Sequence, residues 1–286
     1  MSTTMSKRGK WFPIVNTVFL TLLVVTMILP IINTLAISLS SGVSSMSPGI
    51  KLWPTQFSFE GYITVWTRIE LWRPFLNNAI VTITGTFFHV FLAALAGYVL
   101  IQKDLPGKGI MTTFIIITMI IPAEAIMIPL YIVNRDLSLL NTLTALIVSG
   151  LISGFSILLM RNYFHSIPSS LAEAAKIDGA GHFKILFLVF IPLSLPGLAT
   201  VTLFEFVSRW NHFLPALLYI TDSSKYTLQV ALRSLILESD ATSSSQFVTP
   251  NVRMAGIIIA LIPLLIIYPF IQKYFVKGIT SGATKE

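Results

Sequence analysis

Apolar residues along this chain come in long unbroken runs, separated by short polar segments. Crossing about 30 Å of hydrocarbon takes roughly 20 helical residues. Six runs are long enough, at 14–38, 76–101, 110–133, 142–160, 185–209 and 253–275. They are apolar on every face. A membrane barrel would instead show roughly ten-residue segments of alternating polarity. The pattern predicts an all-α polytopic membrane protein with about six transmembrane helices. The first run follows Lys7, Arg8 and Lys10, as a basic leader would. A cleavable signal has an apolar region of about 7–15 residues, and the run from Ile14 is longer, so it reads as a retained first span. The organisation expected is an N-terminal tail over 1–13, a transmembrane domain over 14–277 and a C-terminal tail over 278–286.

Composition supports this reading. Of 286 residues, 54% are hydrophobic and 11% charged, against about 25% charged in soluble domains. Mean hydropathy is +0.81. The net charge of +7 is spread thinly beside apolar runs, which argues for orientation in a bilayer rather than nucleic-acid binding. With the N-terminus placed inside, 11 of the 19 basic residues fall on inner segments. Both termini are then expected to be cytoplasmic. Trp53, Trp66, Trp72 and Trp210 fall at or beside the outer ends of spans, where interfacial aromatics belong. There is no cysteine, and His89, His165, His182 and His212 lack ligand spacing. No metal site and no catalytic site is expected.

The inner segment 161–184 carries the most specific signal. Pro168 blocks a helix arriving from upstream. Ser170 can cap a new helix, with Glu173 completing a capping box. Leu171 to Asp178 suit a short helix, and Gly179 and Gly181 can end it in a left-handed turn. Ala172, Ala174 and Ala175 leave the helix nearly bare, so another protein can approach its backbone. In the next span Pro192 and Pro196 predict a kink. Glu173-Ala174-Ala175 is followed after three residues by Gly179, and after nine more by Val189-Phe190-Ile191-Pro192.

This spacing resembles the E-A-A-x-x-x-G, nine residues, I-x-L-P motif of binding-protein-dependent ABC transport permeases, with Val189 and Ile191 as conservative departures. Shorter stretches resemble the carbohydrate branch, in particular the smaller subunit of maltose-type and oligosaccharide-type importers. They include Asn77-Asn78, Ile128-Pro129-Leu130, Trp210-Asn211, Tyr226-Thr227-Leu228-Gln229 and Tyr274-Phe275-Val276-Lys277-Gly278. The resemblance covers essentially the whole chain. It implies a type I ABC importer permease fold in the bacterial inner membrane. It also implies a second homologous permease in a heterodimer, two ATPase subunits and an external sugar-binding protein.

By the same resemblance, Ala172, Glu173, Ala174, Ala175, Lys176, Asp178, Gly179 and Ala180 form a coupling helix that docks on an ATPase. Ser281 and Gly282 in the tail reach the ATPase dimer. Ser243, Ser244, Ser245 and Gln246, in the outer segment before the last span, face the binding protein. No G-x-x-x-x-G-K-[ST] occurs in the chain, so this chain is expected to bind no cofactor, with ATP and Mg on the partner subunits.

Glu124, Glu205 and Asn78 are candidates for the translocation path, because a carboxylate at mid-membrane is costly unless it faces an interior or water. Arg209 and Arg135 are expected to snorkel. His89 reads as a polar contact between helices. Gly85, Gly97, Gly150 and Gly154 read as close-packing positions, the last two as a small-x-x-x-small face. A secondary transporter would need an internal repeat, and none is visible; an ABC permease for a non-sugar solute is the other alternative.

Overall fold

A computed structural model describes residues 11–67, 70–241 and 248–283. In chain order the helices are α1 Trp11–Ser38, α2 Gly42–Ser45, α3 Glu60–Thr67, α4 Trp72–Ile101, α5 Lys108–Ile120, α6 Met127–Asp136, α7 Leu143–Val148 and α8 Gly154–His165. They continue with α9 Ser169–Ile177, α10 His182–Ile185, α11 Ile191–Leu193, α12 Leu195–Trp210, α13 Leu214–Tyr219, α14 Leu228–Ala241 and α15 Pro250–Ala283. A π-helical turn, Leu186–Phe190, joins α10 to α11. Among the described residues the only β feature is an isolated bridge, Ser40 to Phe57.

Among the described residues three unbroken stretches are long and apolar enough to span a bilayer: Phe12–Ser38, Trp72–Ile101 and Pro250–Pro269. A fourth, His182–Leu193 with Leu195–Trp210, is bent by 83°. Pro192 and Pro196 explain the bend. Each lacks an N–H, and each ring crowds the carbonyl four residues earlier, so the ladder opens at Ser194. The runs at 110–133 and 142–160 are each interrupted. Ile121 turns extended before Pro122, separating α5 from α6. Gly150 takes φ +86°, separating α7 from α8. Gly150 and Gly154 therefore do not share a helix face: the first makes a turn, and the second lets α8 approach Ile115 and Met119 of α5. Residues 278–283, in the expected C-terminal tail, are helical and continue α15 to Ala283.

The chain forms two compact units. One comprises residues up to Glu70 with Ser234–Ile259. Here Asn251, fully buried, donates to the Ser40 carbonyl (3.1 Å). The Gly42 N–H donates to the Glu60 carboxylate (2.9 Å). Gly61 lies so close to the Asn251 backbone that a Cβ would sit 2.7 Å from its carbonyl oxygen.

The other unit, Leu71–Arg233 with residues from Ala260, is organised around α4. One face of α4 buries Asn78, Val81, Thr82, Gly85, His89, Ala93 and Gly97, the three- and four-residue spacing of a packed helix. Gly97 permits contact with Met160 and the Arg161 backbone in α8. Around Ala93, Ala94 and Tyr98, the side chains of Met160, Phe164, Ile185, Leu186, Phe190 and Val201 form one buried cluster.

Three stretches separated in sequence meet at the far end of α4. Asn77 Nδ2 donates to the Ser224 and Tyr226 carbonyls (3.0 and 3.1 Å). Asn78 Nδ2 and Gln229 Nε2 both donate to the Trp210 carbonyl (3.2 and 3.3 Å). Beside them Asp222 accepts from the Ser224 backbone and hydroxyl. Those hydrogen bonds, from the Ser224 hydroxyl first, hold its carboxyl below the usual carboxylate range.

Candidate functional site

The segment expected to be a short helix is one: α9 runs Ser169–Ile177. It starts one residue earlier than the capping-box reading. Pro168 is the N-cap, with no side-chain cap bond, and Ser170 is already inside the helix. The Glu173 carboxylate is therefore free to pair elsewhere, and Lys103 Nζ lies 3.3 Å away. The C-terminal end is a Schellman motif. The Ala180 N–H donates to the Ala175 carbonyl (2.9 Å) and the Gly179 N–H to the Lys176 carbonyl (3.0 Å), with Gly179 at φ +78°. Gly181 is not left-handed; it caps α10 with φ −73°.

The two sides of α9 differ. Ala172 and Ala175, with Ala180 beyond the turn, pack against the Phe164–Phe190 cluster. Leu171, Ala174 and Asp178, at three- and four-residue spacing, face outward. Leu171 is 44% exposed and Ile177 87%. Alanines thus fasten the helix to the end of the bent span, while an exposed strip of Leu171, Ala174, Ile177 and Asp178 is left for another surface. Lys176 is also exposed. The sequence reading missed the neighbour of this helix, the 102–108 turn, which brings Lys103 and Lys108 against it around a 560 Å³ cavity.

A second polar centre lies deep in the same unit. Arg209 does not snorkel: its side chain is fully buried. Nε donates to Glu205 Oε1 (2.5 Å) one helical turn earlier. Nη1 donates to the Leu146 and Ile147 carbonyls (3.1 and 3.2 Å), which belong to the last turn of α7. A helix end leaves carbonyls unpaired and carries partial negative charge, so a guanidinium there is well placed. His89 Nδ1 lies 2.9 Å from the Gly150 carbonyl and 3.3 Å from Glu205 Oε1, and Nε2 lies 2.8 Å from the Ser156 hydroxyl. Two acceptors facing Nδ1 require the proton there, which leaves Nε2 to accept from Ser156 in the neutral ring. Gly85 is needed for this arrangement, because a Cβ would come within 2.4 Å of Arg209 Nη1. One signal for the centre was available in the sequence: Glu205 and Arg209 stand at i, i+4 within an apolar run.

Of the three candidate path residues, Glu205 is 14% exposed and neutralised by Arg209. Asn78 is buried, and its Nδ2 donates to the Trp210 carbonyl (3.2 Å). Glu124 is exposed in the break between α5 and α6. Arg135 is exposed and paired with Asp136 (3.0 Å). Ser281 and Gly282 fall on the last turn of α15. Ser243, Ser244, Ser245 and Gln246 lie outside the described residues. Among the described residues no group of three His, Asp or Glu side chains is arranged to hold a metal.

The two centres sit within a stretch that a family model matches. The model is described as the inner membrane component of binding-protein-dependent transport systems, and it covers residues 89–281. The chain belongs to this family. The polygalacturonan/rhamnogalacturonan transport system permease protein YtcP of Bacillus subtilis (strain 168) is 36% identical over 275 residues, 93% of this chain and 96% of that protein. Protein LplC of the same organism is 32% identical over 287 residues, 98% of this chain and 97% of its own. A chain in the crystal structure of a bacterial ABC transporter involved in import of the acidic polysaccharide alginate is 33% identical, with a TM-score of 0.86 over 96% of this chain and 99% of that one. The all-α polytopic architecture is thus that of an ABC importer permease, and the protein is an inner-membrane transport component.

Proposed function

We propose that the chain is one of two permease subunits of an ATP-driven importer for a di- or oligosaccharide, delivered by an external binding protein. The observation that carries the substrate class is likeness over nearly the full length to permeases that serve carbohydrate polymers. Both cargoes named for those relatives are uronate-containing, so uronate oligomers head the substrate panel. Neutralisation of Glu205 by Arg209 suits a path that admits an anionic solute.

In this reading both termini are cytoplasmic, and α9 docks on one of two ATPase subunits that hold ATP and Mg. The second permease is a homologous partner. Closure of the ATPases pushes on the exposed strip of α9. The alanine side passes the push to Phe164, Phe190 and the bent helix pair. The end of α15, with Ser281 and Gly282, lies near the ATPases. Ser243 to Gln246 face the binding protein.

The test is uptake of a panel of labelled saccharides by cells with and without the gene. Loss of uptake of at least one di- or oligosaccharide, restored by the intact gene, is expected. Unchanged saccharide uptake alongside loss of a non-sugar solute would overturn the substrate class.

A further inference from the structure

Three cavities of the α4 unit run end to end along one helix. The first, 560 Å³, lies between the 102–108 turn and α9. The second, 280 Å³, shares Tyr98 and Gln102 with it. The third, 400 Å³, shares Leu95 and Leu186 with the second. On α4 their walls form two rows at four-residue spacing. One row is Ile83, Phe87, Phe91, Leu95 and Val99, and the other is Thr86, Val90, Ala94, Tyr98 and Gln102. The opposite wall comes from Leu186, Phe187, Ile191 and Leu198 of the bent pair. At 1.5 Å per residue the track from Ile83 to Gln102 is roughly 28 Å long, against about 15 Å for half of a bilayer's hydrocarbon.

Its polarity is graded. Of the two inner cavities, the 400 Å³ one is walled by apolar side chains apart from Thr86 and Thr202, and the 280 Å³ one adds Tyr98, Gln102 and His182 to its apolar wall. The outer one has an apolar floor of Ile101, Phe164 and Phe190, and a rim carrying Lys103, Lys108, Lys176 and His165 against Asp104 and Glu173. Lys103 is engaged by Glu173. Lys108 Nζ donates to the Gln102 carbonyl (3.3 Å), and Lys176 makes no ion pair among the described residues. The cationic end lies where α4 stops and α5 starts, just past the last residue, Ile101, of a stretch long and apolar enough to span a bilayer.

We propose that this track holds one anionic phospholipid, its phosphate headgroup against Lys108 and Lys176 beside α9 and its acyl chain along α4. A charged head, a short interfacial zone and an apolar body match the order of the three cavities, and an acyl chain reaching about 15 Å from Gln102 ends in the near part of the third, beside Leu95 and Phe91. A spanning helix from another chain would fill the apolar part and leave the lysines unmatched. The lipid would then wedge between the 102–108 turn and α9, and so set how firmly α9 is held.

The test uses the full-length chain within its own assembly, exchanged into nanodiscs of phosphatidylcholine containing a minority of phosphatidylglycerol. Lipid that stays bound after transfer to detergent is counted by native mass spectrometry. One retained phosphatidylglycerol is expected. Lys108→Ala with Lys176→Ala should weaken retention roughly fivefold per lysine, and Lys108→Arg with Lys176→Arg should preserve it. Leu95→Trp, which fills the track, should abolish retention while the lysines stay in place. Displacement by inorganic phosphate, with Leu95→Trp having no effect, would mean a free-phosphate site and overturn the proposal. So would equal retention of both lipids, or no retained lipid in the assembled wild type, the result expected if a second permease covers the track. Retention is read without transport, so the outcome stands apart from the identity of the cargo.

Discussion

Arg209 and Glu205 are the residues at which physical argument adds most to the sequence. Expecting Arg209 at the interface was reasonable for a long cation near the end of an apolar run. Its burial follows from Glu205 one turn earlier on its own helix, which the i, i+4 spacing shows, and from two features that sequence distance conceals: the carbonyls of Leu146 and Ile147, and the space left by Gly85. Removing one partner of a buried pair costs about 3–5 kcal/mol, whereas replacing both with apolar or neutral groups is often close to neutral. Arg209→Met should therefore destabilise the protein strongly, and Arg209→Met with Glu205→Gln should recover most of the loss. Melting of the detergent-solubilised protein would measure both. Equal destabilisation by the single and double changes would show that the ion pair is not the source. Gly85→Ala should cost about 1–3 kcal/mol as overpacking, read in the same melts, because the added methyl meets a guanidinium that its bonds to Glu205 and to the Leu146 and Ile147 carbonyls hold in place. His89 is a case where the residue's role was legible: a histidine within an apolar span reads as a contact between helices, and it bridges Gly150 and Ser156.

At the scale of elements, α9 was legible because its signals are local: a proline before it, alanines within it and a glycine after it. The capping detail failed for the same reason. Pro168 already supplies an extended N-cap, so the helix starts before Ser170 can cap it. The interruptions at 121–126 and 149–153 were less legible, since hydropathy continues across them while the backbone does not. The functional weight of α9 can be separated from its contribution to stability by magnitude. The Lys103–Glu173 pair is exposed at both ends, and such pairs are worth less than about 1 kcal/mol. Glu173→Lys should therefore leave the melting temperature nearly unchanged. If α9 docks on an ATPase, the same change should lower substrate-dependent ATP hydrolysis and uptake at least tenfold, because a carboxylate facing a basic partner becomes a repelling cation. Gly179→Val should act differently. A β-branched residue at φ +78° is strained, so the Schellman turn reorganises and α9 shifts on its alanine seat. ATP hydrolysis that continues without uptake is the expected signature. Normal uptake in both variants would sink the coupling role.

On the scale of the whole molecule, the sequence pattern is sufficient for class and family because a bilayer imposes one demand everywhere: backbone groups must be paired inside the segment. What it cannot place is long-range pairing of polar side chains, such as Asn77 with Tyr226 or Asn251 with Ser40, since these depend on which helices become neighbours. The segment between α12 and the last span illustrates the limit. Its hydropathy shows no helix boundaries, yet it contains α13 and α14, and the chain from 220 to 229 is tied to Asn141, Asn77 and Trp210. Only the stretch after Ala241 keeps the composition of a free polar loop. That division sharpens the docking prediction. Shortening residues 240–247 should leave the ties at Asn77 and Trp210 intact, so expression, membrane insertion and basal ATP hydrolysis of the assembly should stay normal. If Ser243 to Gln246 meet the binding protein, stimulation of hydrolysis by sugar-loaded binding protein should fall several-fold, and uptake with it. Stimulation that survives the deletion would reduce the stretch to a connector, leaving the binding protein to be engaged by other segments.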